Sequence, residues 1–157
     1  MSRFMDQTVV VTGAGSGFGE ATAKRFAREG AQVVVSDIDD VGANRVVDEI
    51  TAADGQAIAN HCNVAEADDV EELVQQTMDT YRQIDVLVNN AGYSHMSRLL
   101  WKITVEEFDA VFAVNVRGVF LGCKYVIPHM IERKTGTIIN IASIGAIAPR
   151  PGVTPYN

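Results

Sequence analysis

The residues best suited to chemistry stand near the start of the chain, in Val9-Val10-Val11-Thr12-Gly13-Ala14-Gly15-Ser16-Gly17-Phe18-Gly19. An apolar run there ends in glycines and opens into a helical pattern, the order of a strand, a phosphate loop and a helix start. A helix N-terminus offers unpaired N–H groups and a partial positive charge, and glycines leave that backbone bare for a phosphate. The spacing breaks the common G-x-G-x-x-G fingerprint, and no Gly-Lys-Ser/Thr tail follows to make a P-loop. It reads T-G-x-x-x-G-x-G, through Thr12, Gly13, Gly17 and Gly19. Glycine loops also form plain turns, so agreement has to come from further along. Asp37 lies 24 residues after Gly13. An acid at about that distance accepts hydrogen bonds from the adenosine ribose hydroxyls of NAD and repels the 2′-phosphate of NADP. No Arg or Lys occurs among residues 12–19 or 36–44, so the expected cofactor is NAD. An acid at a strand end also caps a following helix, and that role stays open at this point.

These groups need elements to hold them. Phe18, Ala21, Thr22, Ala23, Phe26 and Ala27 recur at helical spacing up to Glu29, and Gly30 closes the helix. The β-branched run 31–36 predicts a buried parallel strand that delivers Asp37 at its end. A helix over 40–53 carries Val41, Val46, Val47 and Ile50 as its stripe, and Asp54-Gly55 is a turn. A third strand follows over Gln56–Cys62, then a helix over 66–82 with Val70, Leu73, Val74, Met78 and Tyr81 on one face. A fourth strand over 84–88 closes in Asn89-Asn90-Ala91-Gly92. Residues 93–103 have no clear period and hold the single tryptophan, Trp101, which predicts a functional loop. A long helix from Thr104 to Glu132 opens with a capping box, Thr104 and Glu107, and is apolar enough to predict burial on more than one side. Pro128 predicts a kink or an early end. Lys134-Thr135-Gly136 is a turn before a fifth strand over 137–143. Alternating strands and helices imply an α/β fold, a doubly wound parallel sheet of Rossmann-like type with five strands visible, forming a single dinucleotide-binding domain over 1–157. In such sheets ligands bind beyond the carboxyl ends of the strands, where the winding reverses.

With these motifs in order, the sequence resembles the short-chain dehydrogenase/reductase family, most nearly its 3-oxoacyl-carrier-protein reductase and glucose dehydrogenase types. The resemblance implies that Gly13, Ser16, Gly17, Phe18 and Gly19 hold the cofactor diphosphate side, with Asp37 and Ile38 at the ribose. It also implies that Asn63-Val64 is the adenine-pocket pair and that Asn90-Ala91-Gly92 belongs to the family's N-N-A-G motif. Ser143, with Tyr156 13 residues later, is similar to the catalytic serine and tyrosine. A free tyrosine titrates near pH 10, so it becomes a working acid or base only if the nicotinamide charge and a lysine pull that value down. Asn115 is similar to the family's helix-bending asparagine; a satisfied core amide is the other reading of it. Tyr93, Ser94, His95, Met96 and Trp101 are expected to line part of a pocket for a secondary alcohol or ketone.

The family's pattern continues as Y-x-x-x-K, which puts its lysine three positions beyond Asn157. The family's later strands and helices likewise fall outside these 157 residues, so the sequence is expected to be part of a longer enzyme and to turn over weakly or not at all by itself. Two other classes compete with an enzyme: a non-catalytic dinucleotide-binding protein and a flavodoxin-like domain.

The composition narrows the partners. A net charge of −7 disfavours nucleic acid and anionic membrane, which need basic surfaces. Cys62 and Cys123 are two isolated thiols, read as buried apolar residues of a reducing compartment. No stretch is expected to reach the roughly 18 apolar residues of a membrane span, nor does the start look like a signal peptide, so a cytoplasmic protein is expected. His61, His95 and His129 lack zinc spacing, and no metal site is expected. Homo-oligomerisation, as dimer or tetramer, is what the family resemblance implies for the longer protein.

Overall fold

A computed structural model describes residues 3–157. Five strands, β1 (Thr8–Thr12), β2 (Gln32–Asp37), β3 (Gln56–His61), β4 (Val86–Asn89) and β5 (Thr137–Asn140), pair in parallel in the order β3-β2-β1-β4-β5. The winding moves outward from β1 to β3, then returns to the other side of β1. The reversal therefore opens a crevice above the carboxyl ends of β1 and β4.

The sheet is buried on both faces because its central strands are almost continuously β-branched, with Val9, Val10, Val11, Val33, Val34 and Val35 each at most 1% exposed. Side chains alternate between two cores. Val9, Val11, Val33 and Val35 pack with Ala23 and Ala27 of α1 (Gly17–Arg28) and with Ala43, Val46 and Ile50 of α2 (Asp40–Ala52). Val10, Val34 and Leu87 face the other way, against Val70, Leu73 and Val74 of α3 (Ala67–Tyr81), and against Leu121, Val126 and Met130.

The last three residues belong to α5 (Gly118–Arg133), which continues α4 (Val105–Phe112) through one π-helical turn over Ala113–Arg117. The capping box at the start of α4 is complete: Thr104 Oγ1 accepts from the Glu107 N–H at 3.1 Å and Glu107 Oε2 accepts from the Thr104 N–H at 3.0 Å. Pro128 neither ends nor interrupts α5, which runs on to Arg133. The ring removes one backbone donor from within α5, and the helix continues past it. The departure from α geometry comes at Asn115 instead.

Several expectations change here. The helical run 105–133 is not buried on more than one side. Val111, Leu121, Val126 and Met130 are covered, whereas Val105, Phe108, Phe112, Val116, Phe120, Ile127 and Ile131 stay exposed. Its most apolar 18-residue window has a mean hydropathy of 1.5, long and apolar enough by length and composition to cross a bilayer. That corrects the expectation that no stretch approaches such a length. The α2 stripe also shifts: Val41 points to solvent and small residues, Gly42 and Ala43, take the inner face. The fourth and fifth strands are shorter than their apolar runs, covering 86–89 and 137–140. Ile84 is nonetheless fully buried, just ahead of the ladder.

Candidate functional site

The crevice above β1 and β4 is a cavity of about 620 Å³. The glycine loop forms one wall, and its close contacts explain the glycines. Gly13 has φ +62°, and a Cβ there would stand 2.7 Å from the Ala91 Cα. At Gly19 a Cβ would run into the Gly13 carbonyl and the Asn90 amide. The helix thus starts directly against the strand end, which no side chain at these positions would permit.

Threonine and asparagine side chains then tie this loop to the end of β4. Thr12 Oγ1 accepts from the N–H groups of Asn90 and Ala91, each at 3.1 Å. Asn90 Nδ2 donates to the carbonyls of Thr12 at 2.8 Å and Gly13 at 3.0 Å. The Thr12 hydroxyl was not among the expected site residues, although its place ahead of the first glycine marks it.

Asp37 leaves the end of β2 and turns toward the loop. Its Oδ2 accepts from the Gly15 N–H at 2.7 Å and its Oδ1 from the Asp39 N–H at 2.9 Å. The cap of α2 is supplied by Asp39, whose side chain accepts from the Val41 N–H. Asp37 is therefore not the helix cap, and it lines the cavity. Across from it, Asn63 closes an Asx turn, its Oδ1 accepting from the Ala65 N–H at 3.1 Å.

Every residue expected at the cofactor lines this one cavity: Gly13, Ser16, Gly17, Phe18 and Gly19, then Asp37 and Ile38, Asn63 and Val64, Asn90, Ala91 and Gly92, and Tyr156. Phe18 is 87% exposed. It is on the rim of the cavity and not in the inner stripe of α1 that its spacing suggested. Tyr93 and Ser94 line the wall of the cavity. Met96 and Trp101 instead turn to solvent, and His95 is buried with its Nδ1 beside the Met96 carbonyl at 2.8 Å. Cys62 and Val114 also line the cavity and were not expected there. Burial raises the Cys62 thiol to about pKa 11, with the Ser36 hydroxyl opposing and the Asp69 charge adding slightly.

Asn115 and Ser143 do not reach the cavity wall. Asn115 Nδ2 donates to the carbonyls of Tyr93 at 2.6 Å and Val111 at 2.8 Å, and its Oδ1 accepts from the Tyr93 N–H at 3.2 Å. The side chain thus holds the π turn against the segment after Asn90-Ala91-Gly92, a use typical of such turns near functional sites. The Ser143 hydroxyl accepts from the Gly145 N–H at 3.1 Å. Around Gly145 the two expected hydroxyl residues converge, since a Cβ there would be 3.4 Å from Ser143 Oγ and 3.9 Å from Tyr156 Cδ1. Among the described residues, no group of three or more His, Cys, Asp or Glu side chains could hold a metal.

The sequence matches the family described as short chain dehydrogenase over residues 7–157. The chain belongs to that family. A 3-oxoacyl-[acyl-carrier-protein] reductase of Synechocystis is 42% identical over 158 residues, covering all of this chain and 64% of the relative. The structure of a 3-ketoacyl-(acyl-carrier-protein) reductase from Brucella melitensis complexed with NADH superposes with a TM-score of 0.91 at 41% identity, covering 98% of this chain and 64% of that one. A metagenomic short-chain oxidoreductase in complex with NADP gives 0.93 at 34% identity, covering 98% and 69%. The chain therefore spans somewhat under two thirds of the first two of these relatives. The five-stranded parallel sheet is the nucleotide-binding architecture that they share, and those two structures carry dinucleotides that differ in the 2′-phosphate.

Proposed function

We propose that the cavity binds NAD(H), and that the chain belongs to an oxidoreductase that moves a hydride between NAD(H) and a secondary alcohol or ketone. The observation that carries the cofactor reading is Asp37, which lines the cavity and whose carboxylate is held beside the glycine loop by the Gly15 N–H. Its free lone pairs suit the two ribose hydroxyls, and its charge repels a 2′-phosphate. The cradle also fits a dinucleotide in shape: a Cβ at Gly17 would meet nothing within 4 Å, so the helix N-terminus lies open to a phosphate.

The bound nicotinamide would supply the hydride chemistry. Tyr156, on the wall, would exchange a proton with the substrate oxygen. The Ser143 oxygen accepts from the Gly145 N–H, which leaves its own O–H free as a donor on the Tyr156 side of Gly145, behind the cavity wall. Asn115 would keep the Tyr93–Ser94 wall in place through its three backbone contacts. The relatives' names make a 3-oxoacyl thioester the first ketone to assay.

Titration calorimetry with NADH and NADPH tests the cofactor reading. NADH should bind at least about tenfold more tightly, and Asp37→Asn should narrow that gap by weakening NADH and strengthening NADPH. A preference of the unaltered chain for NADPH would overturn it.

A further inference from the structure

Arg45 lies just outside the cation-free stretches around the loop, and the fold brings it back to them. Its Nη2 donates to the Gly15 carbonyl at 3.0 Å. The guanidinium is itself held on both sides, by Glu20 Oε2 at 2.6 Å and by Glu49 Oε1 at 2.7 Å. Lys24 bridges the same two carboxylates. Two residues of α1 and two of α2 therefore form one network, and among their side chains Arg45 is the one that bonds the loop, at the Gly15 carbonyl.

Both polar groups of the Gly15 backbone are thus held by charged side chains, the carbonyl by Arg45 and the N–H by Asp37. No peptide is cis among the described residues, and a trans peptide points its C=O and N–H in opposite directions. Fixing the Gly15 carbonyl toward α2 therefore fixes the Ser16 N–H on the opposite side. Ser16 lines the cavity, and its N–H has no protein acceptor among the described residues.

We propose that Arg45 is a positioning residue for the cofactor: by holding the Gly15 carbonyl it aims the Ser16 N–H into the cavity as a preset donor to the adenosine diphosphate half of the ligand. The inference rests on the dinucleotide reading above. Glu20 and Glu49 keep the guanidinium behind the loop, so Arg45 acts through the backbone and does not serve as a cation for a 2′-phosphate. A donor fixed before binding loses no freedom when the ligand arrives.

Calorimetric titration of NADH and of ADP, with melting temperatures, should compare the unaltered chain with Arg45→Met, Arg45→Lys and Lys24→Met. Loss of one preset hydrogen bond corresponds to about a tenfold loss in affinity. Arg45→Met should weaken NADH and ADP together by about that factor, and Arg45→Lys should recover part of it. Lys24→Met removes a charge from the same network without touching Gly15, and should stay within about twofold of the unaltered chain. Equal losses in Arg45→Met and Lys24→Met, or NADH affinity unchanged in Arg45→Met, would overturn the proposal. If the unaltered chain binds neither NADH nor ADP, the dinucleotide reading itself fails, a result distinct from either of those.

Discussion

Asp37 is fixed by its neighbours through both side chain and backbone. Its two carboxylate oxygens take the Gly15 and Asp39 N–H groups, its backbone carbonyl takes the Cys62 N–H at 2.9 Å, and it pairs with His61 across the β2–β3 ladder. The acid could be found from its distance to the glycines. Cys62 could not, because its place in the wall depends on the register that sets His61 opposite Asp37. A thiol raised to about pKa 11 by burial is almost wholly protonated at neutral pH and a poor nucleophile. Alkylation of Cys62 by iodoacetamide, followed by peptide mass spectrometry, should be slow at pH 7–8 and accelerate only above about pH 10. Bound NADH should slow it further, and rapid labelling at pH 7 unaffected by NADH would contradict this placement.

At the scale of elements, α1 and α2 are joined above the sheet by Glu20, Lys24, Arg45 and Glu49. Hydrogen bonds from Arg45 and then Lys24 lower the Glu20 carboxyl to a pKa of about 2, from 4.5. A carboxyl whose value falls on folding adds stability above its unfolded value and loses it as the pH drops through the folded one. The difference in melting temperature between the unaltered chain and Glu20→Gln should therefore be constant above about pH 5. It should shrink between about pH 4.5 and pH 2. A difference that persists unchanged at pH 2 would contradict this assignment. Pattern alone reveals α1 and α2 but not this network, since pairs such as Arg45–Glu20 join separate helices. It likewise misassigns Phe18 and Val41, which have helical spacing but occupy a cavity rim and a solvent face. The π turn is a further case: Asn115 is visible as a polar break in an apolar helix, whereas its partner, the Tyr93 backbone, is brought to it only by the crossover from β4.

Over the whole molecule, the legible part of the site is the part carried at strand ends. Residues 13, 37 and 90 stand just past β-branched or apolar runs and residue 63 follows the more polar β3, and parallel winding sends all four ends to one side of the sheet. The helical run over 105–133 was less legible, because apolar content does not say which faces are covered. In the described chain its sheet-facing side is buried through Val111, Leu121, Val126 and Met130, and Phe108 and Phe112 stack on its outer side with ring centroids 4.4 Å apart. The strand order β3-β2-β1-β4-β5 fixes a crevice at the reversal, the place proposed for the dinucleotide. The most direct measurement is an amide-resolved NMR titration of the chain with NADH. The largest shifts should fall on Gly13, Ser16 to Gly19, Asp37 and Ile38, Asn63 and Val64, and Ala91 and Gly92, saturating together. Shifts centred elsewhere, with the glycine loop unmoved, would contradict it.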